Sequence, residues 1–521
     1  MAVLVQDLSP ALANFQRPGP CDRGTWDQAR SRGLSLGLTH PRIELTQAAP
    51  MKPDGEWVLY WMTASRRLGW NHALDRAVQT AQELAKPLLI LEAVRSGYRW
   101  ASDRHHRFLL DGMAEHWNAL RDTPVGYYPY VERGHHDDRG LLSSLAALAC
   151  CVVTDDSPVH FTRDLVSAGS RLQGVRVEAV DSCGLLPIRT PGRTFSAAYH
   201  FRRYLQRELP RHLGDAPNPD PLADAGLVPC PPLPDDIAAR WPPASLEELE
   251  SHTFLVSLPI DHSVAAISNR GGTKPATARL HRFLNQSLSR YDCDRNHPDL
   301  EAASGLSPWL HFGHLSAHEV FRAVADLQSW SPLRLSEVAD GRRAGWWGMT
   351  VESEAFLDQL VTWRELSYGY CTMVPDYDHY ETLPEWARNT LEAHASDLRP
   401  WVYELDELEN AKTHDALWNA AQRQLRSDGI VHNYLRMLWG KKILEWTSSP
   451  QEALEVMIHL NNRWAIDGRD PNSYSGIAWC LGRFDRGWPE RAVFGKVRSM
   501  TSDSARRKIR LKRYLEEWCG P

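Results

Sequence analysis

The chain has 521 residues, 43% of them hydrophobic and 24% charged, which is enough for two or more domains and a sizeable core. With 59 Lys and Arg against 65 Asp and Glu, the net charge of −6 points to solubility and says nothing about partners. Nine scattered cysteines show neither a CxxC pair nor zinc-ligand spacing, so reduced thiols in a cytoplasmic protein are expected and a metal centre is not.

Residues 1–50 carry little periodicity and several Pro and Gly, and read as a loosely packed extension without a signal peptide. WVLYWM (57–62) then reads as a buried strand, NHALDRAVQTAQELA (71–85) as an amphipathic helix and PLLILEAV (87–94) as a second strand. ACCVVTDD (149–156) and GVRVEAVD (174–181) are further strands with helical segments between them. Apolar runs alternating with helices imply βαβ units and a parallel sheet, so residues 51–213 are expected to form an α/β domain. No GxGxxG follows the first strand, so there is no dinucleotide fingerprint. A Pro- and Asp-rich stretch within 214–250 reads as a linker crossing the surface. From about Thr273 the pattern is almost wholly helical, and residues 251–521 are expected to be an all-α domain. No run approaches membrane-spanning length.

Three segments carry chemistry. SGLSPWLHFGHLS (304–316) contains a Ser-Pro helix start, with Ser307 expected at the N-cap; such a terminus caps a helix ordinarily and can hold a phosphate. Between Arg483 and Arg513, eleven Lys and Arg face three acids, a local surplus of eight that suits either a solvated helix face or a phosphate backbone. Trp488 beside Arg486 favours the backbone, because an aromatic next to a base can wedge an opened duplex. Fifteen of the 21 tryptophans lie from Trp241 onward. Trp439 and Trp446 are seven apart on one helix, with Trp418 on the preceding one. Such a stripe serves as core packing or as a relay of oxidisable indoles.

Longer strings sharpen this reading. RNHPDL after Tyr291, SGLSPWLHFG, LENAKTHDALWNAAQ, RMLWGKKILEW, LNNRWAIDGRDPNSYSGIAW and ERAVFGKVRSM together resemble the photolyase/cryptochrome family, specifically its class II cyclobutane-dimer photolyases. The resemblance implies a Rossmann-like antenna domain followed by a helical FAD-binding domain. It implies FAD contacts at Tyr291, Ser304, Leu306 and Ser307, an Arg436–Asp467 ion pair beside the flavin, and Asn461 facing the flavin's reactive nitrogen. Trp439, Trp418 and Trp446 match the family's photoreduction relay. Trp363, Trp479 and Met437 match residues at a flipped dimer; Arg486, Trp488 and Arg498 match residues that fill the opened duplex or hold its phosphates. DNA containing pyrimidine dimers is therefore the implied partner of a monomeric, membrane-free enzyme. A deazaflavin or folate antenna is compatible with the family, although no residue of the α/β half identifies one. Four positions depart from the pattern: Gln359 stands for a glutamate against the dimer, Phe484 for a histidine, Asn433 for a glycine and Glu319 for a base. Departures gathered on the substrate side would also suit a cryptochrome-like blue-light receptor.

Overall fold

The computed structural model describes residues 40–519. Six strands, β1 (Ile43–Gln47), β2 (Trp57–Met62), β3 (Leu88–Val94), β4 (Gly126–Val131), β5 (Ala149–Asp156) and β6 (Arg176–Asp181), form one sheet in the order β1-β6-β5-β2-β3-β4. All neighbours are parallel except β1, which runs antiparallel to β6. Central β2 is buried on both faces. Trp57, Leu59 and Trp61 enter one core layer, and Val58, Tyr60 and Met62 the other. Such two-sided burial is why this segment reads as an unbroken apolar run. Helices α1 (His72–Leu84), α2 (Asp103–Leu120), α3 (Leu141–Ala147), α4 (His160–Gly169) and α5 (Ala198–Glu208) accompany the strands. The Asn71 side chain caps α1 by accepting from the backbone N–H groups of Ala73 and Leu74.

Two elements differ from the sequence reading. Residues 43–47, assigned to the extension, form edge strand β1; the rest of that extension through residue 39 lies outside the described residues. Strand β4, GYYPYV, is absent from the expected set because Pro129 breaks the strand pattern. It sits at the opposite sheet edge, where a residue without an N–H is tolerated. Within 214–250, Ile237, Trp241 and Leu249 are buried, so this connection packs against the domain as it crosses it.

The helical part includes α6 (Thr273–Gln286), α7 (Ser307–His311) and α8 (Ala317–Leu327). Helix α9 (Val351–Leu357) continues through a π-helical turn, Asp358–Trp363, into α10 (Arg364–Met373). Then follow α11 (Ala416–Asp428), α12 (Asn433–Trp446), α13 (Pro450–Trp464) and α14 (Pro471–Cys480). One core cluster joins the halves, bringing Phe108 and Phe201 together with Trp309, Phe356 and Leu360. No helix among the described residues is long and apolar enough to cross a membrane.

Candidate active site

A cavity of about 1070 Å³ opens among α6, α7, the π-helical turn, α12, α13 and α14. Tyr291, Ser304, Leu306, Ser307, Gln359, Trp363, Arg436, Met437, Trp439, Asn461, Asp467 and Trp479 all line it. Residues separated by almost 200 positions are thereby brought to one site.

The Ser304–Ser307 turn is shaped by Gly305, whose φ of +65° suits a residue without Cβ. A Cβ there would also stand 2.7 Å from the Arg279 guanidinium. Arg279 uses that room to donate to the carbonyls of Ser304 (2.7 Å) and Ala303 (3.0 Å). Ser307 does not take the N-cap position expected of it; Leu306 precedes the helix, and the Ser307 hydroxyl instead donates to Asp467 Oδ2 at 2.7 Å. The other Asp467 oxygen accepts from Arg436 at 2.8 Å. Both carboxylate oxygens are thus satisfied, which is what allows Asp467 to sit 8% exposed. Asn461, in the last turn of α13, is buried at the same wall and donates to Asn462 Oδ1 at 3.3 Å. Nearby, burial pushes Asp470 up, but hydrogen bonds and charge from His311 together with Arg364 outweigh it and hold this carboxyl below its usual range.

The π-helical turn also lines the cavity. A π turn inserts an extra residue into a helix and recurs at functional sites. Here it carries Gln359 and Trp363, both half-buried. Its position is fixed from the α/β half. Arg202 on α5 forms a buried bidentate pair with Asp358, at 2.7 and 3.1 Å. Just beyond the turn, Glu365 accepts the backbone N–H groups of Leu185 (2.6 Å) and Leu186. Burial pushes the Glu365 carboxyl up to about 8, against the pull of those N–H groups and Arg364. Phe484 also lines the cavity, in the left-handed region at φ +61° and edge-on to Tyr370. Asn433 opens α12 at the cavity, whereas Glu319 lies away from it with Thr277 as partner.

Behind the cavity the tryptophans form a continuous row. Trp439 lines the cavity and is 2% exposed. Trp418 lies parallel to it at 6.4 Å between centroids, and Trp446 meets Trp418 edge-on at 5.6 Å. Trp446 in turn touches Tyr403 (5.5 Å) and His414 (5.2 Å), and His414 stacks at 4.5 Å on Trp401, which is 52% exposed. Aromatic rings therefore extend from the cavity to solvent.

Arg486, Trp488 and Arg498 do not line the cavity but gather beside Trp479. Arg498 lies 4.1 Å over Trp488 and 5.5 Å from Trp479 and pairs with Asp485 at 2.7 Å. Lining residues that the sequence did not single out as site residues include Arg279, Arg282, Arg295, His432 and Asp470. The spacing of Arg279 and Arg282 on one face of α6 was the available signal. Among the described residues there is no group of three or more His, Cys, Asp or Glu suited to a metal ion.

No family model matches the sequence. The fold resembles that of a bacterial class III photolyase from Agrobacterium tumefaciens, with a TM-score of 0.64 at 18% identity over 90% of this chain and 87% of that one. Full-length sequence similarity carries more. The deoxyribodipyrimidine photo-lyase of Methanothermobacter thermautotrophicus is 35% identical, covering 90% of this chain and 96% of the relative. The proteins of that name from Oryza sativa subsp. japonica and Potorous tridactylus are 33% and 31% identical, each over 91% of this chain and over 89% and 84% of their own lengths. The chain belongs to the photolyase/cryptochrome family. It is an enzyme of that family's photolyase kind.

Proposed function

We propose that this enzyme is a class II-like deoxyribodipyrimidine photolyase that splits cyclobutane pyrimidine dimers in DNA, with FAD as its electron donor. The observation that carries the reading is the cavity itself. It joins Asn461, the Arg436–Asp467 pair and the inner end of the tryptophan row to Gln359 and two half-buried indoles, Trp363 and Trp479.

The residues fit FAD. The volume suits a large folded cofactor, and the guanidinium groups of Arg279, Arg282 and Arg295 among the lining residues supply anion-binding chemistry. His432 Nδ1 is a buried polar atom at the cavity with no partner among the described residues, as expected of a group that meets a ligand. Ser304, Leu306, Ser307, Tyr291, Arg436, Asp467 and Asn461 are the proposed cofactor contacts. FAD, when bound and reduced, supplies on blue-light excitation the electron whose transfer to the dimer opens the cyclobutane ring and whose return leaves no net redox change.

The chain's own residues bind, orient and shield. Trp363 and Trp479 stack on the extruded dinucleotide, at roughly 1–3 kcal/mol per base, which offsets part of the few kcal/mol that unstacking costs. The Gln359 amide donates to a pyrimidine carbonyl without titrating. Arg486, Trp488 and Arg498 occupy the opened duplex or hold its phosphates. Trp439, Trp418 and Trp446 pass an electron inward to recharge the cofactor. In this reading residues 51–213 form an antenna-type domain and residues 251–521 the catalytic one.

Gln359 and Phe484 favour a second reading, a cryptochrome-like blue-light receptor with weakened repair. One assay separates the two: reduced holoprotein, blue light and a dimer-containing oligonucleotide. Restored thymines support repair. Bound DNA and reduced flavin without restored thymines would leave the receptor.

A further inference from the structure

Beside the cavity, cations and indoles alternate from the core to the surface. Lys441 on α12 is fully buried, its ammonium 4.8 Å from the Trp479 ring centroid. Its Nζ donates to the carbonyl of Cys480 at 2.6 Å. Cys480 ends α14, so this carbonyl belongs to a helix terminus that favours a cation. Arg498 follows on Trp479 (5.5 Å) and on Trp488 (4.1 Å), and exposed Arg486 closes the series over Trp488 at 5.4 Å. Asp485 clamps the outer half, accepting from Arg498 at 2.7 and 3.0 Å and from the Arg486 backbone at 2.9 Å. The bond from the Trp488 N–H to the Lys496 carbonyl, 2.8 Å, ties the two arms together.

We propose that Lys441 is a positioning residue for lesion recognition, anchoring a cation–indole ladder through which Trp479 at the cavity and Trp488 at the surface act as one unit. This rests on the repair reading above. A buried ammonium is costly, and here it touches neither cavity nor solvent; what it holds is the indole. Gly440 permits the approach, since a Cβ there would stand 2.6 Å from Cys480 Sγ.

The anchor carries its own pH signature. Burial lowers Lys441 to about 8, offset in part by Cys480 and Asp485 and reinforced by Arg498. The cation is present below that pH and lost above it. Over the same range the folded state holds fewer protons than the unfolded chain, so this group's contribution to stability rises with pH while its grip on Trp479 fails.

The experiment compares wild type, Lys441→Arg and Lys441→Met, all as flavin-loaded full chains. The probes are a duplex with one cyclobutane thymine dimer and the same duplex undamaged. Expected is wild-type dimer affinity that falls between pH 7 and 9, a flat profile in K441R, and a loss of about tenfold in K441M with undamaged-duplex binding and photoreduction retained. Glu365 titrates in the same range but is present in all three proteins, so the difference between wild type and K441R isolates Lys441. If K441M does not fold, that difference alone decides. A K441R profile that tracks wild type, or K441M with undiminished dimer affinity, overturns the proposal alone. A wild type that binds both duplexes alike overturns the repair reading and the proposal with it.

Discussion

Trp418 and Trp439 lie with indole planes parallel to within 1° and centroids 6.4 Å apart, locked by hydrogen bonds at both rings. Trp418 Nε1 donates to the Trp439 carbonyl at 3.1 Å, and Trp439 Nε1 to Gln422 Oε1 at 2.8 Å. Indoles fixed in this way are suited to electron exchange because neither ring must reorient. Trp439→Phe and Trp418→Phe should each abolish light-driven flavin reduction in the presence of a thiol, read as lost bleaching of the oxidised flavin band. Normal bleaching in either variant would remove the relay from the account.

The amide at position 359 makes a second prediction. A carboxylic acid is a more acidic donor than an amide and so gives the stronger hydrogen bond to a developing anion. Gln359→Glu should therefore raise the yield of restored thymines per absorbed photon. A gain of up to about tenfold corresponds to about 1.4 kcal/mol at the barrier. An unchanged yield would mean that the amide is not a weaker substitute.

Asp467 holds two partners at once, Arg436 and Ser307. Asp467→Asn leaves the Arg436 guanidinium without its counter-charge at a site only 23% exposed. Thermal unfolding should show a loss of about 2–4 kcal/mol, and the purified variant should carry less flavin. A normal melting temperature with full flavin content would separate the pair from both roles.

Glu365 sets a pH dependence of stability. Its folded-state pKa, near 8, lies above its unfolded value, so the folded protein holds the extra proton between about pH 4.5 and 8. The contribution is therefore complete below the unfolded value and is lost as pH rises towards 8. Glu365→Gln, which keeps a neutral acceptor for the Leu185 N–H, should flatten the fall in stability across that window. Urea midpoints at pH 5, 6.5 and 8 would show it; parallel slopes would reject it.

Much of this site was legible because its residues sit in long strings whose periodicity and turn chemistry agree. LNNRWAIDGRDPNSYSGIAW is such a string. Its charges suggest an exposed loop, yet Asn462 and Asp470 are buried, and the Asp470 side chain caps α14. Ser307 was misplaced by one position because Ser-Pro specifies a helix start without fixing which side-chain bond wins. Here Leu306 takes the N-cap position, and the Ser307 hydroxyl, one residue inside the helix, donates to a carboxylate 160 residues away. The π-helical turn is not legible in the sequence: FLDQLVTWREL has an ordinary helical pattern, and the Arg202 that pairs with Asp358 in the turn comes from another part of the chain. For Arg279 the i, i+3 spacing with Arg282 is visible in the sequence, but its two carbonyl partners lie beyond helix spacing.

The Arg202–Asp358 pair has a wider consequence. It makes the sheet-bearing half a jig for the pocket wall, whether or not a light-harvesting pigment ever binds there. Substitutions in α5 or in the Leu185–Leu186 segment would then reach the pocket wall without touching the cavity. A severed helical half would meet its substrate with one wall unbraced.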